Sequence, residues 1–374
     1  MPSGESPLAS AHAELGAIMT DFGGWRLPVE YSSVAEETHA TRHGAGLFDV
    51  SHMGNLHLLG EGAAAAARRL LTRDATAAPA CCGGYALLCN DQGGIIDDLI
   101  FMVTSESAIG LVINASHHDT DVAWLSRHIA LNADLDLEDL RGRSFGIALQ
   151  GPRAEEILRS ANTQGRFPDL FATFTQMRIA MANVLVSRTG YTGEDGFELF
   201  GAAADGLVVW QTMLNFGRDF GLQPCGLAAR DVLRQEMGYP LAGQDITEDT
   251  TPLEAGLRWA IDWTGEFIGR EALERAKVTR RRVGFVIEER GIARHGAAIL
   301  RGDEQVGAVT SGTYSHNLRT AIGQGYIGVS SQLAAGDEVE VQVRDRRVKA
   351  KIAKFPLIPK KTRPSWNQPE RRAQ

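Results

Sequence analysis

The chain reads as an α+β protein that closes with an all-β unit, and three observations carry that reading. Between about residues 50 and 140, strand-like and helix-like runs are interspersed, and two adjacent strands are joined by a hairpin rather than a regular βαβ crossover. A second mixed unit begins at Phe145, where a strand runs into a helix with Pro152 at its first turn. From about Arg282 the texture changes to short strands separated by Gly and Asp turns, as in a barrel or sandwich. At 374 residues there is room for two or three domains with substantial cores.

The elements follow in order. Pro7 to Ile18 is helix-like and leads into Asp21–Pro28, read as a glycine-broken loop. Ser33-x-x-Glu36 is a capping-box pattern that opens a helix running to about His43, ended by Gly44 and Gly46. Strand-like alternation runs from Leu47 through Leu58, and Ala63 to Leu71 is helical by propensity. Tyr85–Cys89 and Leu99–Val103 are strands, and the Asn90-Asp91-Gln92-Gly93-Gly94 stretch between them has the residues that tolerate positive φ and close hairpins. Ile109–Asn114 is a strand and Asp121–Ile129 a helix. Met177–Ser187 and Phe197–Phe200 are read as two strands joined by the glycine-rich run Arg188–Gly196. Asp205–Phe216 and Leu227–Met237 are amphipathic helices, the latter with Arg230 and Arg234 one turn apart. After Pro356 the tail is Pro-rich and basic, and its end is expected to be disordered.

Composition removes several function classes. A formal net charge of −8 argues against a general nucleic-acid binder. No apolar run is long enough to span a membrane, and the first twenty residues contain neither Lys nor Arg, so no secretory signal or presequence is supported. The four cysteines, Cys81, Cys82, Cys89 and Cys225, have no zinc-ligand spacing and suit a reducing compartment, so the reading is cytoplasmic.

The chemistry-bearing candidates are few. Asp97-Asp98 at the mouth of a strand is unusual, because strand interiors disfavour Asp and adjacent carboxylates repel. One can face solvent while the other faces inward, where desolvation would raise its pKa, although a simple turn-ending pair also fits. Gly190–Gly196 lacks the Gly-Lys-Ser/Thr ending and precedes a strand, so it is no phosphate loop. With Tyr191 at its tip it could present a ring to a flat ligand, while Glu198, facing opposite to Phe197 and Leu199, could accept two hydrogen bonds from a pterin edge. A plain hairpin with a solvent-facing Glu fits equally. Arg230 is either an anion clamp or the partner of Asp231. His39 and His43 lack the Glu of a zinc-protease motif, and with His52 they are read as surface or packing residues.

Taken together and in order, Asp21–Pro28, Gly46–Gly54, Gly93–Ile100, Gln150–Pro152, Ser187–Leu199, Gly226–Asp231 and Phe267–Leu273 resemble the T protein of the glycine cleavage system, the aminomethyltransferase family. The run Ser-Arg-Thr-Gly-Tyr-Thr-Gly-Glu-Asp-Gly-Phe-Glu (187–198) is its most specific part. The resemblance implies a three-domain cloverleaf: two mixed α/β domains with largely antiparallel sheets and a C-terminal all-β barrel or jelly-roll-like domain, around a central folate site. Residues 1–50 with 141–275 would form the first domain, 51–140 an inserted ferredoxin-like domain carrying the catalytic Asp, 280–358 the barrel, and 359–374 a basic tail expected to be disordered. It implies Asp98 as the catalytic carboxylate, with Tyr85, Asn114, Tyr191, Glu198, Arg230 and Tyr239 lining the folate and substrate site, and no metal. The implied reaction moves the one-carbon unit of an aminomethyl group, carried on a dihydrolipoyl carrier (H) protein, to tetrahydrofolate with loss of ammonia.

The chain also departs from the family's usual pattern. The barrel loop reads Ser311-Gly312-Thr313-Tyr314-Ser315-His316 rather than Ser-Gly-x-x-Ser-Pro, and Leu233-Arg234-Gln235-Glu236-Met237-Gly238 replaces Leu-Arg-Leu-Glu-Ala-Gly. These blocks are read as lying toward the one-carbon donor, so a relative that demethylates a small S-, N- or O-methyl compound stays open. A non-catalytic folate-binding accessory protein ranks last, since Met237–Asp245 lacks the Cys of that branch's motif and Asp98 is present.

Overall fold

The computed structural model describes residues 4–130, 132–161 and 163–367. Three large sheets organise it. A six-stranded sheet has the spatial order Phe174–Ile179, Ala182–Ser187, Gly196–Ala202, Ser144–Gln150, Ala45–Asp49, Leu222–Cys225. Its pairings are antiparallel except that Leu222–Cys225 runs parallel to Ala45–Asp49. A five-stranded antiparallel sheet has the order Cys82–Cys89, Ile95–Ser105, Ala108–Ile113, Gly54–Gly60, Leu135–Asp139. The strands from Arg280 to Ala353 close into a six-stranded barrel. This is the expected α+β class with largely antiparallel sheets, and the barrel-or-sandwich choice resolves as a barrel.

Each sheet covers its own apolar core. Phe145, Ile147 and Leu149 alternate into the first, with Trp210 and Met213 of the helix Gly206–Gly217 against them. Leu99, Phe101 and Val103 alternate into the second, facing Ala63, Ala67 and Leu70 of the helix Ala63–Leu70. The small alanines let that helix sit close to the sheet. Phe285, Val341 and Ile352 fill the barrel.

The central hairpin forms as its residues dictate. Asn90 turns its side-chain oxygen back to the backbone N–H groups of Gln92 and Gly94, at 3.0 and 2.9 Å, and Gly93 takes φ +80°. A Cβ on Gly94 would lie 1.7 Å from the carbonyl oxygen of Glu248, so the tip must be bare to pack there. Ser33 caps the helix Val34–His43 by accepting the Glu36 N–H at 3.2 Å. The helix Leu227–Met237 has the bounds its periodicity predicts and ends on Gly238 at φ +69°.

Four expectations are corrected. Asp21–Pro28 is a β-hairpin, with Ile18–Phe22 paired to Trp25–Glu30 across a Gly23-Gly24 turn at φ +58° and +80°. The first helix is only Ala9–Glu14, because Ile18 already belongs to that hairpin. Met177–Ser187 is not one strand: Ala180 and Met181 adopt φ +47° and +74° and fold it into the hairpin Phe174–Ile179 with Ala182–Ser187. The basic tail is ordered through Asn367. Lys361 N–H donates to Gly193 at 2.8 Å, Pro364 accepts from Phe171 N–H at 2.9 Å, and Trp366 Nε1 donates to Gly83 at 2.7 Å. Residues 368–374, where the end of the tail was expected to be disordered, lie outside the described residues.

Candidate active site

Asp97 and Asp98 sit on the strand Ile95–Ser105, opposite Leu88 and Leu87 of the neighbouring strand. The inward member is Asp97, which is fully buried, while Asp98 is half-buried. Asn114, one residue past the strand Ala108–Ile113, clamps both. Its backbone N–H donates to Asp97 at 3.0 Å, and its Nδ2 donates to Asp97 at 2.9 Å and to Asp98 at 3.0 Å. Burial and then the neighbouring Asp97 charge push the Asp98 carboxyl up to about 7, against the opposing effect of Tyr85 and Asn114. Asp98 therefore titrates where a proton-handling group is useful.

The other candidates surround it. Tyr85 lies beside Asp98, and its buried hydroxyl has no hydrogen-bond partner. Its ring stacks on Trp259, with centroids 5.2 Å apart. Tyr191, at the tip of the glycine-rich turn, stacks on Tyr239 at 5.7 Å and donates its hydroxyl to the Pro240 carbonyl. Arg230 places its guanidinium 4.9 Å from the centre of the Tyr191 ring. Burial pulls its pKa down, and the nearby Glu198 charge opposes this. Glu198 is half-buried, faces opposite to the buried Phe197 and Leu199, and accepts the Thr189 hydroxyl at 2.5 Å. The seven residues singled out in the sequence form a chain of neighbours: Asn114 bonds Asp98, Tyr85 lies near Asp98 and Tyr191, and Tyr191 meets Tyr239 and Arg230, which lies near Glu198.

The two readings of Arg230 can now be separated. Asp231 pairs with Arg234 at 2.8 Å, not with Arg230, whose buried Nη1 has no hydrogen-bond partner. An unpaired buried guanidinium edge is costly unless something fills it, so it is poised for an anionic or carbonyl group. Arg234, its neighbour in sequence, is spent inside the fold. It is 1% exposed and reaches Asp245, Ser311 and the Tyr239 carbonyl.

The altered blocks prove to be struts between the helix and the barrel. Ser311 donates to Asp245 at 2.7 Å and Ser315 donates to Glu236 at 2.6 Å, both buried. Glu236 in turn holds Arg42 at 2.6 Å. These struts are the residues that match the family pattern; the ones that depart from it are Gln235, which donates to Asp231 at 2.8 Å, the buried Met237, and His316, whose ring meets Tyr314 edge-to-face at 5.0 Å.

Sequence reasoning missed three residues here. Thr189 orients Glu198, Trp259 covers Tyr85, and Asp121 lies behind Asp97. His52 takes the packing role among those read for it: it is buried edge-to-face on Phe22 at 5.6 Å, and burial followed by the Arg230 charge lowers its pKa to about 4. His39 and His43 stack on each other at the surface. Thr189 had a visible signal, since alternation puts it near Glu198 across a tight turn; Asp121 reads as an ordinary acidic residue in a helix's first turn. Among the described residues no group of His, Cys, Asp and Glu could hold a metal ion, and no helix is long and apolar enough to cross a membrane.

Residues 8–265 match the family described as the GCVT N-terminal domain, and residues 280–358 match the glycine cleavage T-protein C-terminal barrel domain. The chain belongs to the glycine cleavage T-protein family. It is 41% identical over 358 residues to an aminomethyltransferase of Anoxybacillus flavithermus, covering 94% of this chain and 98% of that one. To the aminomethyltransferase of Bacillus subtilis it is 39% identical over 360 residues, covering 94% and 98%. The solved glycine cleavage system aminomethyltransferase T of Bartonella henselae superposes with a TM-score of 0.88 at 31% identity, covering 96% of this chain and 99% of that one. Agreement over almost the whole length places every lobe of this T-protein relative within one family architecture.

Proposed function

We propose that this T-protein family member is a tetrahydrofolate-dependent aminomethyltransferase. It takes the one-carbon unit from an aminomethyl group on a dihydrolipoyl carrier protein and releases ammonia. The observation that supports this reading is one neighbourhood: the Asp98 carboxyl is pushed up to about 7, Tyr191 lies near both it and Arg230, whose Nη1 has no partner, and Glu198 lies near Arg230. The residues fit tetrahydrofolate. Glu198 can accept the paired N–H groups of a pterin edge, Arg230 Nη1 lacks a partner, and the Tyr191 and Tyr239 rings offer a flat wall.

When bound, tetrahydrofolate supplies the nucleophilic amine that accepts the one-carbon unit. The chain's own part is to position and to balance charge. Thr189 holds Glu198 in place, so the carboxylate presents its acceptor oxygens in a fixed direction. Asn114 fixes Asp98 so that its carboxylate can steady positive charge at the reacting centre or take up a proton there. Tyr85, braced by its stacking on Trp259, places an aromatic ring beside Asp98.

Two outcomes follow. Because ionised Asp98 is the form that steadies positive charge, the rate of the chemical step is expected to rise with pH through about 7 and level off above it. A rate independent of pH from 5.5 to 8.5 would remove Asp98 ionisation from the account. Replacing Glu198 by Ala deletes charge-assisted hydrogen bonds each of about 1.5–3 kcal/mol, on the order of 10- to 100-fold in Kd. Calorimetric titration of tetrahydrofolate into the wild-type and Glu198→Ala proteins tests this, and equal affinities would take Glu198 out of the site.

A further inference from the structure

Behind Asp98 lies a second layer of carboxylates. Asp121, in the first turn of the helix His118–Ile129, is fully buried, and neither of its carboxyl oxygens receives a hydrogen bond from any donor among the described residues. Across the helix–sheet interface it meets Asp97, also fully buried. Asp97 is well supplied: it accepts the Asn114 backbone N–H at 3.0 Å and Asn114 Nδ2 at 2.9 Å, with His117 Nδ1 at 3.8 Å. Among the described residues His117 is the only basic group within 4 Å of either carboxylate, and Asp98 and Asn114 complete the polar groups facing them.

Two touching buried carboxylates cannot both be ionised, and one without donors is the worse place for a negative charge. A proton on Asp121 resolves both difficulties at once. It turns an acceptor with no donor into a donor, and Asp97 is the acceptor in reach.

We propose that Asp121 is a positioning residue for the transfer reaction: it stays protonated, donates a hydrogen bond to Asp97, and thereby keeps Asp97 an anion that fixes the orientation and charge environment of Asp98. The inference rests on the proposed role of Asp98, and it adds a residue that lies behind Asp97. Burial and the Asp97 and Asp98 charges push Asp121 up to about 11, so its proton persists across the neutral range. The anionic Asp97, pinned by the Asp121 hydroxyl and Asn114, is in turn what helps raise Asp98 to about 7.

The test is a 13C-carboxyl NMR titration of the full-length, ligand-free enzyme, with the Asp98 signal assigned by its loss in Asp98→Asn. Asp121→Asn keeps a donor of the same shape and no charge, so the Asp98 midpoint is expected to stay near 7. Asp121→Leu removes the donor, makes Asp97 itself the better proton holder, and should lower the Asp98 midpoint by about 1 pH unit, the scale of strongly coupled sites. The acid limb of the rate profile should move by the same amount. If Asp121 were ionised in the native protein, Asp121→Asn would itself remove a negative charge and lower the Asp98 midpoint, and that result overturns the proposal. So does a folded Asp121→Leu protein with an unmoved Asp98 midpoint. If Asp121→Leu does not fold, the Asp121→Asn titration still decides. Because no substrate is present, these outcomes are independent of whether the aminomethyl donor has been identified correctly.

Discussion

Asp98→Asn is expected to lower turnover by about 10²- to 10⁴-fold, the range over which a positioned acid–base group contributes. The substitution keeps shape and volume, and its side-chain oxygen can still accept from Asn114 Nδ2, which lies 3.0 Å from Asp98 in the native site. What it removes is the charge. An amide cannot become the anion that steadies positive charge at the reacting centre, nor can it take a proton near pH 7. Binding should suffer little, because Glu198, Arg230 and the Tyr191–Tyr239 wall are untouched; tetrahydrofolate affinity within a few-fold of wild type is the companion result. Steady-state ammonia release and calorimetry on the same preparation measure both. A near-normal rate would end the assignment of Asp98.

The second large effect concerns stability. Arg234→Met is expected to destabilise the protein by about 3–5 kcal/mol, the cost of leaving a buried partner charge uncompensated. Arg234 is 1% exposed and Asp245 likewise 1% exposed. The guanidinium also bonds Asp231 at 2.8 Å and the barrel's Ser311 at 3.0 Å, so it ties the helix Leu227–Met237 to the barrel. Asp245 keeps hydrogen bonds from Gln324 Nε2 and Leu241 N–H, both at 2.9 Å, but these do not neutralise its charge. Adding Asp245→Asn should therefore recover part of the loss. Urea denaturation of the single and double variants checks this, and a single-variant loss below about 1 kcal/mol would contradict the strut reading. Since Tyr239 stacks on Tyr191, a loosened strut should also weaken folate binding.

Where local chemistry determines local structure, the sequence was readable. Asn90 to Gly94 dictates a hairpin, Ser33 a helix start and Gly44 a helix end, and each occurs as read. Asp98, Tyr85, Asn114, Tyr191, Glu198, Arg230 and Tyr239 were named through the resemblance; spacing alone left Glu198 and Arg230 undecided. The misses share a physical origin. Ala180-Met181 carries no turn residue, and tertiary pairing of Phe174–Ile179 with Ala182–Ser187 imposes positive φ on both. The segment from Lys361 to Trp366 is polar and Pro-containing, as a free tail would be. It is held instead by partners far away in the chain, including Gly83, Phe171, Gly193 and Glu155. Asp121 was invisible because its meaning lies in what it lacks, a donor, and only the packed interface shows that.

The departures at Ser311–His316 and Leu233–Gly238 illustrate the same limit. As sequence they differ from the family where substrate contacts could have been; in the fold the matching residues Ser311, Ser315 and Glu236 join the lobes, while the departing Gln235 and His316 meet Asp231 and Tyr314 in their own segments. The donor question therefore passes to experiment. The most direct measurement is turnover with tetrahydrofolate and an aminomethyl-loaded lipoyl carrier protein, following ammonia and methylenetetrahydrofolate together. The account predicts equal amounts of both, formed only when folate and loaded carrier are present. Tight folate binding with no ammonia released from the loaded carrier would contradict it.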